Sequence, residues 1–169
     1  MQYTVRKAKP EDLDSVVNIY AYARSFMARN GNPHQWGKTN PPVERTRQDI
    51  REEILYVVTK DEVVHGVFVF FVGDDPTYEN IYEGNWSCHE PYGVIHRVAG
   101  DGSGGIFAAC VHYCGQRCKY LRIDTHHDNR PMQRVIEKAG FTRCGIIYIG
   151  DGSPRIAYDR VKKETADIF

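Results

Sequence analysis

The sequence predicts an α+β fold, a mixed central sheet of about six to seven strands flanked by about four helices. Three patterns predict it: a hairpin at 55–72, a strand–turn–helix–strand unit at 92–125, and a second hairpin at 142–161. Hairpins pair strands antiparallel, whereas a strand–helix–strand unit pairs them parallel, so the sheet should be mixed. The 169 residues are the usual size of one domain, and we expect a single domain over 1–169.

The first half of the chain is predicted to supply three strands and two helices. Pro10 stands at the first turn of the first helix, and the acidic Glu11 and Asp12 follow at the positive end of its dipole. The turn of the hairpin is Lys60-Asp61-Glu62. The predicted elements are, in order, a strand at 3–7, a helix from Pro10 to Asn30, a helix at 43–54, and strands at Leu55–Thr59 and Val63–Val72.

The second half opens with a long irregular stretch, Gly73–Pro91, whose aromatic residues favour packing over another part of the molecule. Pro131 opens the last helix, Gly140 closes it, and the turn Gly150–Pro154 joins the last two strands. The predicted elements are a strand at Tyr92–Ala99, a helix at Ile106–Cys118, a strand at Tyr120–Thr125, a helix at Pro131–Ala139, and strands at Thr142–Ile149 and Arg155–Val161.

Charge and composition argue against several classes of protein. Lysine plus arginine equals aspartate plus glutamate, 22 of each, so no long-range field attracts nucleic acid or an anionic membrane. No apolar run approaches a membrane span, and the N-terminus shows no signal peptide pattern. The five cysteines do not read as a disulfide framework, so we expect a cytoplasmic protein with reduced thiols.

A glycine-rich loop between a strand and a helix, AGDGSGGIF, carries the clearest chemical signal. Its glycines allow sharp turns and close approach of a ligand, and the first amides of the following helix have no partners within that helix. Together with the helix dipole, these amides favour a phosphate or diphosphate group. The predicted cofactor-binding residues in this segment are Val98, Ala99, Gly102, Ser103, Gly104, Gly105 and Ile106.

Two classes of ligand fit this loop. Gly100-x-Gly102-x-x-Gly105 matches the dinucleotide fingerprint, and Asp124 ends the next strand at the distance expected of a ribose ligand. A dinucleotide fold, however, needs further parallel units, and the strands after Asp124 read as a hairpin. The second class is coenzyme A.

Four segments of this chain resemble the GCN5-related N-acetyltransferase superfamily over residues 3–161. They are TVRKAKPEDLDSVVNIY, the hairpin LYVVTKDEVVHGVFVFF, the glycine loop, and IDTHHDNRPMQRVIEKAGF. The last is the most specific, because Asn129 and Lys138-Ala139-Gly140-Phe141 stand where family members have an asparagine and a lysine-x-glycine-phenylalanine element. Gly102 and Phe107 depart from the family's loop pattern, and Ile136 stands where the family usually has a tyrosine acid.

The resemblance implies an acetyltransferase that moves an acetyl group directly from acetyl-coenzyme A to a primary amine of a small molecule or peptide. Pantetheine would lie between the fourth and fifth strands, where they part. Asn129 would hold its amide, with Met132 among the same cofactor-binding residues. Family members often form homodimers, so a homodimer remains open.

His96, Glu90 and Tyr148 are the candidate catalytic residues. His96 lies on the fourth strand three residues before the turn and has a suitable side chain for accepting a proton from the amine; a hydrogen-bonded core histidine is the alternative. Strand alternation predicts that it shares a face with Val98, and that Arg97 lies on the other face. Glu90 is a second candidate base, and Tyr148 a candidate acid or a cross-strand packing residue.

The residues predicted to bind the acceptor are Trp36, Tyr92, Asp124 and His126. His126 and His127 invite a metal interpretation, but adjacent histidines in a strand point to opposite faces, so we predict no metal. Two alternative functions remain: a nicotinamide-dependent oxidoreductase built on the glycine fingerprint, and a non-catalytic acyl-coenzyme A sensor, suggested by Ile136.

Overall fold

A computed structural model describes residues 2–162, which form one seven-stranded sheet with four α-helices. The strands are β1 Thr4–Lys7, β2 Leu55–Lys60, β3 Val63–Val72, β4 Gly93–Gly100, β5 Tyr120–Thr125, β6 Thr142–Tyr148 and β7 Pro154–Val161. The helices are α1 Leu13–Arg29, α2 Val43–Arg51, α3 Ile106–Gly115 and α4 Arg130–Lys138, with 3-10 turns at Pro10–Asp12 and Pro76–Tyr78. The sheet order is β1-β2-β3-β4-β5-β7-β6.

The predicted α+β class and the mixed sheet are confirmed. Within residues 2–162, β4 and β5 pair parallel and the other neighbouring strands pair antiparallel. Two helices end three residues earlier than predicted. α2 stops at Arg51, because Glu53 adopts a left-handed backbone conformation with φ of 58° that cannot continue a right-handed helix. α3 stops at Gly115, three residues before the predicted end.

Helices cover both faces of the sheet. On one face, α3 and the buried Ile136 of α4 pack against apolar side chains such as Phe68, Ile95 and Leu121. On the other face, the first helix packs against a second cluster that includes Val67 and Val69 of β3. The third strand, β3, therefore presents alternate side chains to two different apolar clusters.

The sheet opens between its fourth and fifth strands. Within the described chain their ladder consists of two pairs, Gly93 with Leu121 and Val94 with Arg122. Further along, β4 and β5 are no longer paired, so the sheet has a gap near the carboxyl end of β4. This gap lies next to the glycine loop, where the resemblance places pantetheine.

A β-bulge on the fourth strand accompanies this opening. Val67 and Val69 of β3, two residues apart, pair with Ala99 and His96, three residues apart. The extra residue is accommodated at Arg97, whose φ is 49°. The prediction that Arg97 lies opposite His96 and that Val98 shares its face was therefore wrong. Val98 packs with Ile95, and Arg97 turns toward α2.

The segment Gly73–Pro91 is packed onto the sheet. Tyr78 and Trp86 are buried in a third apolar cluster with β5, β6 and β7. The buried carboxylate of Asp159 accepts hydrogen bonds from the Ser87 amide at 2.7 Å, the Ser87 hydroxyl at 2.6 Å and the Tyr120 hydroxyl at 2.8 Å. The same segment carries Asp75, which belongs to the site described below.

No helix in the described part of the chain is both long enough and apolar enough to cross a membrane.

Candidate active site

A cleft of about 740 Å³ runs through the gap between β4 and β5 and continues onto the α1–α2 face of the sheet. At the gap it is lined by Ile95, Val98 and Ile123 together with Asn129 and Met132. On the other side it is lined by residues of the α1–α2 loop, the Asp74–Thr77 segment, and by Phe71, His96, Asp124, Ile149 and Arg155. We call this second region the acceptor side.

The glycine loop beside the gap has the backbone geometry that the sequence predicted. Gly102, Gly104 and Gly105 have φ values of 90°, 78° and 76°, a left-handed conformation that strains other residues. Gly105 is the N-cap of α3, and no side chain of the described residues caps this helix start. The first amides of α3 are thus left without a side-chain partner, as an anion site requires.

Two amides of the loop donate hydrogen bonds within the protein, that of Asp101 to the His65 carbonyl oxygen at 3.0 Å and that of Ser103 to a side chain. The Asp101 carboxylate accepts a hydrogen bond from the Ser103 amide at 3.0 Å and another from the Ser103 hydroxyl, and it pairs with His65 Nδ1 at 2.8 Å. Desolvation opposes ionisation of Asp101, but these contacts outweigh it and lower the pKa of the carboxyl below its usual value. The Ser103 amide therefore shapes the loop, and the unpaired donors lie further on, at the start of α3.

Asn129 sits at the gap, where it has two structural partners. Its Oδ1 accepts a hydrogen bond from the Met132 amide at 3.1 Å and so caps α4, and its Nδ2 donates to Gln35 Oε1 at 2.9 Å. The cap that the sequence left open as an alternative is present. Asn129 nevertheless lines the cleft, and its amide group has a second N–H that can reach a ligand.

His96 is the centre of a polar cluster on the acceptor side. Its Nε2 lies 2.6 Å from Asp75 Oδ2, and its Nδ1 lies 3.8 Å from Asp124 Oδ2. The Tyr78 hydroxyl donates a hydrogen bond of 2.7 Å to the same Asp124 oxygen. Burial, reinforced by the charge of Asp124, raises the pKa of Tyr78 well above its usual value, so this hydroxyl stays a donor.

Asp75 is held in its ionised form. Burial alone would raise its pKa, but hydrogen bonds from His96 and from Thr77 outweigh that effect and lower the pKa to about 2. The Asp75 amide also donates to the Tyr92 hydroxyl at 2.9 Å. The ionised Asp75 can accept a hydrogen bond from Nε2–H of His96, and in the neutral ring this tautomer has its lone pair on Nδ1, on the side of Asp124.

The low pKa of Asp75 predicts an acid-dependent contribution to stability. Its folded-state pKa of about 2 lies below the ordinary 3.8, so the contribution is complete above pH 3.8 and is lost as pH falls toward 2. It amounts to about 2 kcal/mol, of which about half is lost by pH 3. In urea unfolding, the stability gap between wild type and Asp75→Asn should narrow by about 1 kcal/mol between pH 7 and pH 3. A gap independent of pH would contradict the assignment.

Of the three predicted catalytic residues, the structure places His96 in the cleft. Glu90 is exposed and stands outside the described cleft lining. Tyr148 is 48% exposed and packs edge-on against Tyr82, also outside that lining. The cross-strand packing that was the alternative for Tyr148 thus describes its surroundings better than a role as acid.

The four predicted acceptor residues divide into two pairs. Trp36 and Asp124 line the cleft, with Trp36 packed edge-on against Tyr20. Tyr92 is buried behind the cleft, where it contacts the Asp75 amide and positions that residue. His126 is buried just beyond β5, and its Nδ1 accepts a hydrogen bond from the Asp128 amide at 3.0 Å.

Sequence reasoning missed Asp75, Tyr78 and Arg155, each of which takes part in the acceptor side. Asp75-Pro76 in a loop and a tyrosine three residues on carry no catalytic signal by themselves. The signal that could have found Asp75 is its place directly after β3, because β3 and β4 are antiparallel neighbours and the end of β3 lies beside the start of β4.

The reason given for excluding a metal was wrong. His126 and His127 lie beyond the last residue of β5, so strand alternation does not separate them, and their rings stack with centroids 4.3 Å apart. Together with Asp128 they bring one ligand atom each within 4.8 Å of one another. His126 Nδ1 already accepts the Asp128 amide, and the absence of a bound metal stays a prediction.

Comparison with known proteins agrees with the fold. The model of the acetyltransferase (GNAT) domain matches residues 2–142. The chain belongs to the GNAT acetyltransferase family. A GNAT-family acetyltransferase of Streptococcus agalactiae is 26% identical, with 96% of each chain covered and a TM-score of 0.86. No curated protein matches this chain.

More distant GNAT structures share the fold. A GNAT-family acetyltransferase of Bacillus cereus is 19% identical, with 97% of this chain and all of that chain covered (100%) and a TM-score of 0.66. A ribosomal-protein-alanine N-acetyltransferase of Brucella melitensis is 15% identical, with 94% and 99% covered and a TM-score of 0.62. At these identities the likeness concerns the fold alone.

The GNAT fold removes the structural basis of the dinucleotide alternative. A dinucleotide site lies at a switch point in a mostly parallel sheet, whereas the described sheet of this GNAT protein has one parallel pair. The fingerprint Gly100-x-Gly102-x-x-Gly105 therefore belongs to the GNAT loop at the start of α3. Ile136, in place of the family's usual tyrosine, is fully buried in the α3–α4 cluster.

In this GNAT domain, the position of the glycine loop depends on Gly66 of β3. A Cβ on Gly66 would overlap Ile106 Cγ2 and would lie 3.0 Å from Ile106 Cδ1, at the first residue of α3. We expect Gly66→Ala to displace this helix start, to cost about 1–3 kcal/mol in stability, and to weaken acetyl-coenzyme A binding about 10-fold. Calorimetry and urea unfolding would measure both effects.

Ile106→Ala provides the matched test for Gly66→Ala. In the double variant the overlapping methyl groups are gone, so the loss of affinity should be smaller than the sum of the two single losses. Additive losses, or unchanged affinity in Gly66→Ala, would mean that this contact does not set the loop.

Proposed function

We propose that this protein is an N-acetyltransferase that moves an acetyl group directly from acetyl-coenzyme A to a primary amine. The observation that carries the proposal is that one cleft contains both a donor site and a candidate base. The gap between β4 and β5, with unpaired amides of α3 beside it, suits a pantetheine-bearing nucleotide. The His96–Asp75 pair faces the acceptor side of the same cleft.

The donor would lie with its diphosphate at the start of α3 and its pantetheine arm in the gap. Val98 and Asn129 line that gap, and the free N–H of Asn129 would donate to a pantetheine carbonyl. The bulge at Arg97 leaves a main-chain amide of β4 outside the ladder, near Val98. We assign to this amide, or to that of Ala99, the polarisation of the thioester carbonyl.

His96 would act as the base. The ammonium group first releases one proton to solvent, because only the neutral amine has the lone pair needed for attack. The amine nitrogen then attacks the thioester carbonyl carbon, and His96 Nδ1 accepts the second proton that the nitrogen gives up. The carbon–sulfur bond then breaks, and the proton held by His96 passes to the departing thiolate. The histidine returns to its neutral form, so the cycle needs no tyrosine at the position of Ile136.

Asp75 and Asp124 would have different tasks around His96. Asp75 Oδ2 lies 2.6 Å from His96 Nε2. It would accept the Nε2–H and so keep the lone pair on Nδ1. Asp124, 3.8 Å from Nδ1, offers a carboxylate to the incoming ammonium group and brings it next to the base. Tyr78 keeps this carboxylate in place through its hydrogen bond of 2.7 Å.

The test is thiol release from acetyl-coenzyme A in the presence of a panel of primary amines, with mass spectrometry of the products. Amine-dependent thiol release with one acetyl group added to the amine supports the proposal. Donor binding without thiol release for any amine would favour the acyl-coenzyme A sensor instead. The observation that favours this second candidate is that Ile136 is buried and cannot donate a proton.

We further propose that the protein works in the cytoplasm on a small-molecule or peptide amine, without nucleic acid or a membrane as partner. The five free thiols are consistent with a reducing compartment. The balanced charge, 22 basic and 22 acidic residues, offers no basic footprint for nucleic acid. A homodimer remains a family expectation that size-exclusion chromatography with light scattering would test.

A further inference from the structure

Arg155 is a buried cation in the wall of the cleft. It lies near the start of β7, is 7% exposed, and lines the acceptor side. Its Nη1 donates to the Pro154 carbonyl oxygen at 2.9 Å. Among residues 2–162 no carboxylate forms an ion pair with it, although a guanidinium offers five N–H donors.

A buried arginine without a paired anion is energetically unfavourable. Buried charges in proteins are nearly always paired, because moving a cation out of water costs several kcal/mol. Burial lowers the pKa of Arg155, and the more distant charges of Asp124 and Asp151 only partly offset it. A bound anion would supply the missing partner.

The other two arginines that line the cleft are already paired. Arg97 donates to Asp49 Oδ2 from Nε at 3.1 Å and approaches it with Nη2 at 3.0 Å. Arg45, half exposed, lies 3.6 Å from the other oxygen of the same carboxylate. Among the arginines described at this cleft, Arg155 is thus the one without an ion pair.

The position of Arg155 relative to Asp124 indicates which ligand. Asp124 pairs with Ala157 in the ladder between β5 and β7, and Arg155 lies two residues before Ala157. The two side chains therefore share a face of the sheet and start about 7 Å apart along the strand. The carboxylate of Asp124, near His96, and the guanidinium of Arg155, about 7 Å further along the strand, can bind the two ends of a small zwitterion.

We propose that the acceptor is a free amino acid, whose ammonium group meets Asp124 and His96 while its carboxylate binds Arg155. This inference rests on the proposed acetyl transfer and specifies its substrate class. Trp36, Phe71 and Ile149 supply apolar wall for the rest of the molecule. An arginine fork matches a carboxylate through two parallel hydrogen bonds, which fixes the amine relative to the base.

The experiment compares matched amines that differ in the carboxylate. Initial rates are measured for a set of amino acids, their carboxamides and their decarboxylated amines. The wild type should show kcat/KM at least about 30-fold higher for an amino acid than for its neutral partners. In Arg155→Met this ratio should fall to near one, and Arg155→Lys should keep part of it. Equal rates for acids and neutral partners in the wild type would overturn the proposal.

Controls separate a lost carboxylate contact from a damaged fold. Arg51→Met replaces an exposed arginine of α2 and should leave the acid-to-neutral ratio unchanged. Melting temperature and acetyl-coenzyme A affinity are measured for each variant. A fall in rate of Arg155→Met that is equal for acids and neutral amines would mean a structural role and would contradict the proposal.

A binding measurement separates this inference from the proposed function. N-acetylglycine and the neutral N-ethylacetamide are titrated into wild type and Arg155→Met by calorimetry, which needs no turnover. Binding of N-acetylglycine that is lost in Arg155→Met, even in a protein that releases no thiol, would support the carboxylate site while acetyl transfer fails. Equal binding of both compounds, or equal binding to both proteins, would overturn it.

Discussion

Replacing His96 by glutamine is expected to lower kcat for amine acetylation about 10²–10³-fold, while the dissociation constant for acetyl-coenzyme A stays within about 2-fold. Glutamine can still donate to Asp75, which lies 2.6 Å from Nε2, so the neighbouring segment keeps its place. It cannot accept a proton from the amine at neutral pH. Steady-state thiol release gives kcat, and calorimetry gives donor affinity.

The pH profile distinguishes a base from a structural histidine. In wild type the rate should rise with pH, and this limb of the profile should be absent in His96→Gln. Asp75→Asn should lower kcat by about 10-fold, because Nε2 loses the partner that fixes the tautomer. A His96→Gln enzyme with wild-type kcat and an unchanged pH limb would remove His96 from the mechanism.

Two variants serve as matched controls for the competing sequence candidates. Tyr148→Phe and Glu90→Gln change groups that are exposed and outside the described cleft lining, so each should stay within about 2-fold of wild type in kcat. A fall of 10² in either one would mean that the acid or the base comes from that residue rather than from His96.

The second large effect is expected from Gly84→Ala, which should destabilise the protein by about 3 kcal/mol. A Cβ on Gly84 would overlap the carbonyl oxygen of Cys144 in β6, and its φ of 159° is unfavourable for a side chain. Backbone, unlike a flexible side chain, cannot move aside cheaply. For a domain of this size the melting temperature should fall by about 6–12 °C, measurable by calorimetric or dichroism melting.

The matched control for this variant is Gly150→Ala. Gly150 has no atom within 4 Å of an added Cβ, so its substitution should change stability by less than about 0.5 kcal/mol. The segment around Gly84 packs against β6 and also carries Asp75 and Tyr78. On heating, Gly84→Ala should therefore lose activity at a lower temperature than the one at which the whole protein unfolds. A melting temperature of Gly84→Ala equal to that of Gly150→Ala would contradict the close approach.

Most of the fold could be predicted from local patterns. The hairpin turns and the strand–glycine loop–helix unit are short-range signals, and the seven strands follow one another along the chain in the predicted order. Helix ends were less predictable, since α2 ends where Glu53 takes a left-handed conformation that its residue type does not announce.

The candidate site was only partly predictable, because it is assembled across the sheet. His96, Asp124 and Asn129 lie next to recognisable strand or helix ends, so the sequence could single them out. Asp75 meets His96 through packing of a long irregular segment, which no periodicity encodes. Arg155 reads as an ordinary strand residue, and its burial in the cleft follows only from the pairing of β5 with β7.

The bulge on β4 shows how one residue can overturn a face assignment. Strict alternation predicts opposite faces for His96 and Arg97, and an inserted residue shifts all later positions by one. Arg97, which alternation places on the face opposite His96, instead pairs with Asp49 of α2 at 3.0 Å. Sequence alone does not reveal this bulge, because a non-glycine residue at φ of 49° carries no turn signature.

Calorimetric titration of the folded protein with acetyl-coenzyme A, with NADH as the comparison ligand, tests the assignment of the cleft most directly. We predict one-site association with acetyl-coenzyme A, weakened about 10-fold in Gly66→Ala, and no heat of association with NADH. Association with NADH but not with acetyl-coenzyme A would contradict the assignment of the glycine loop and of the gap between β4 and β5.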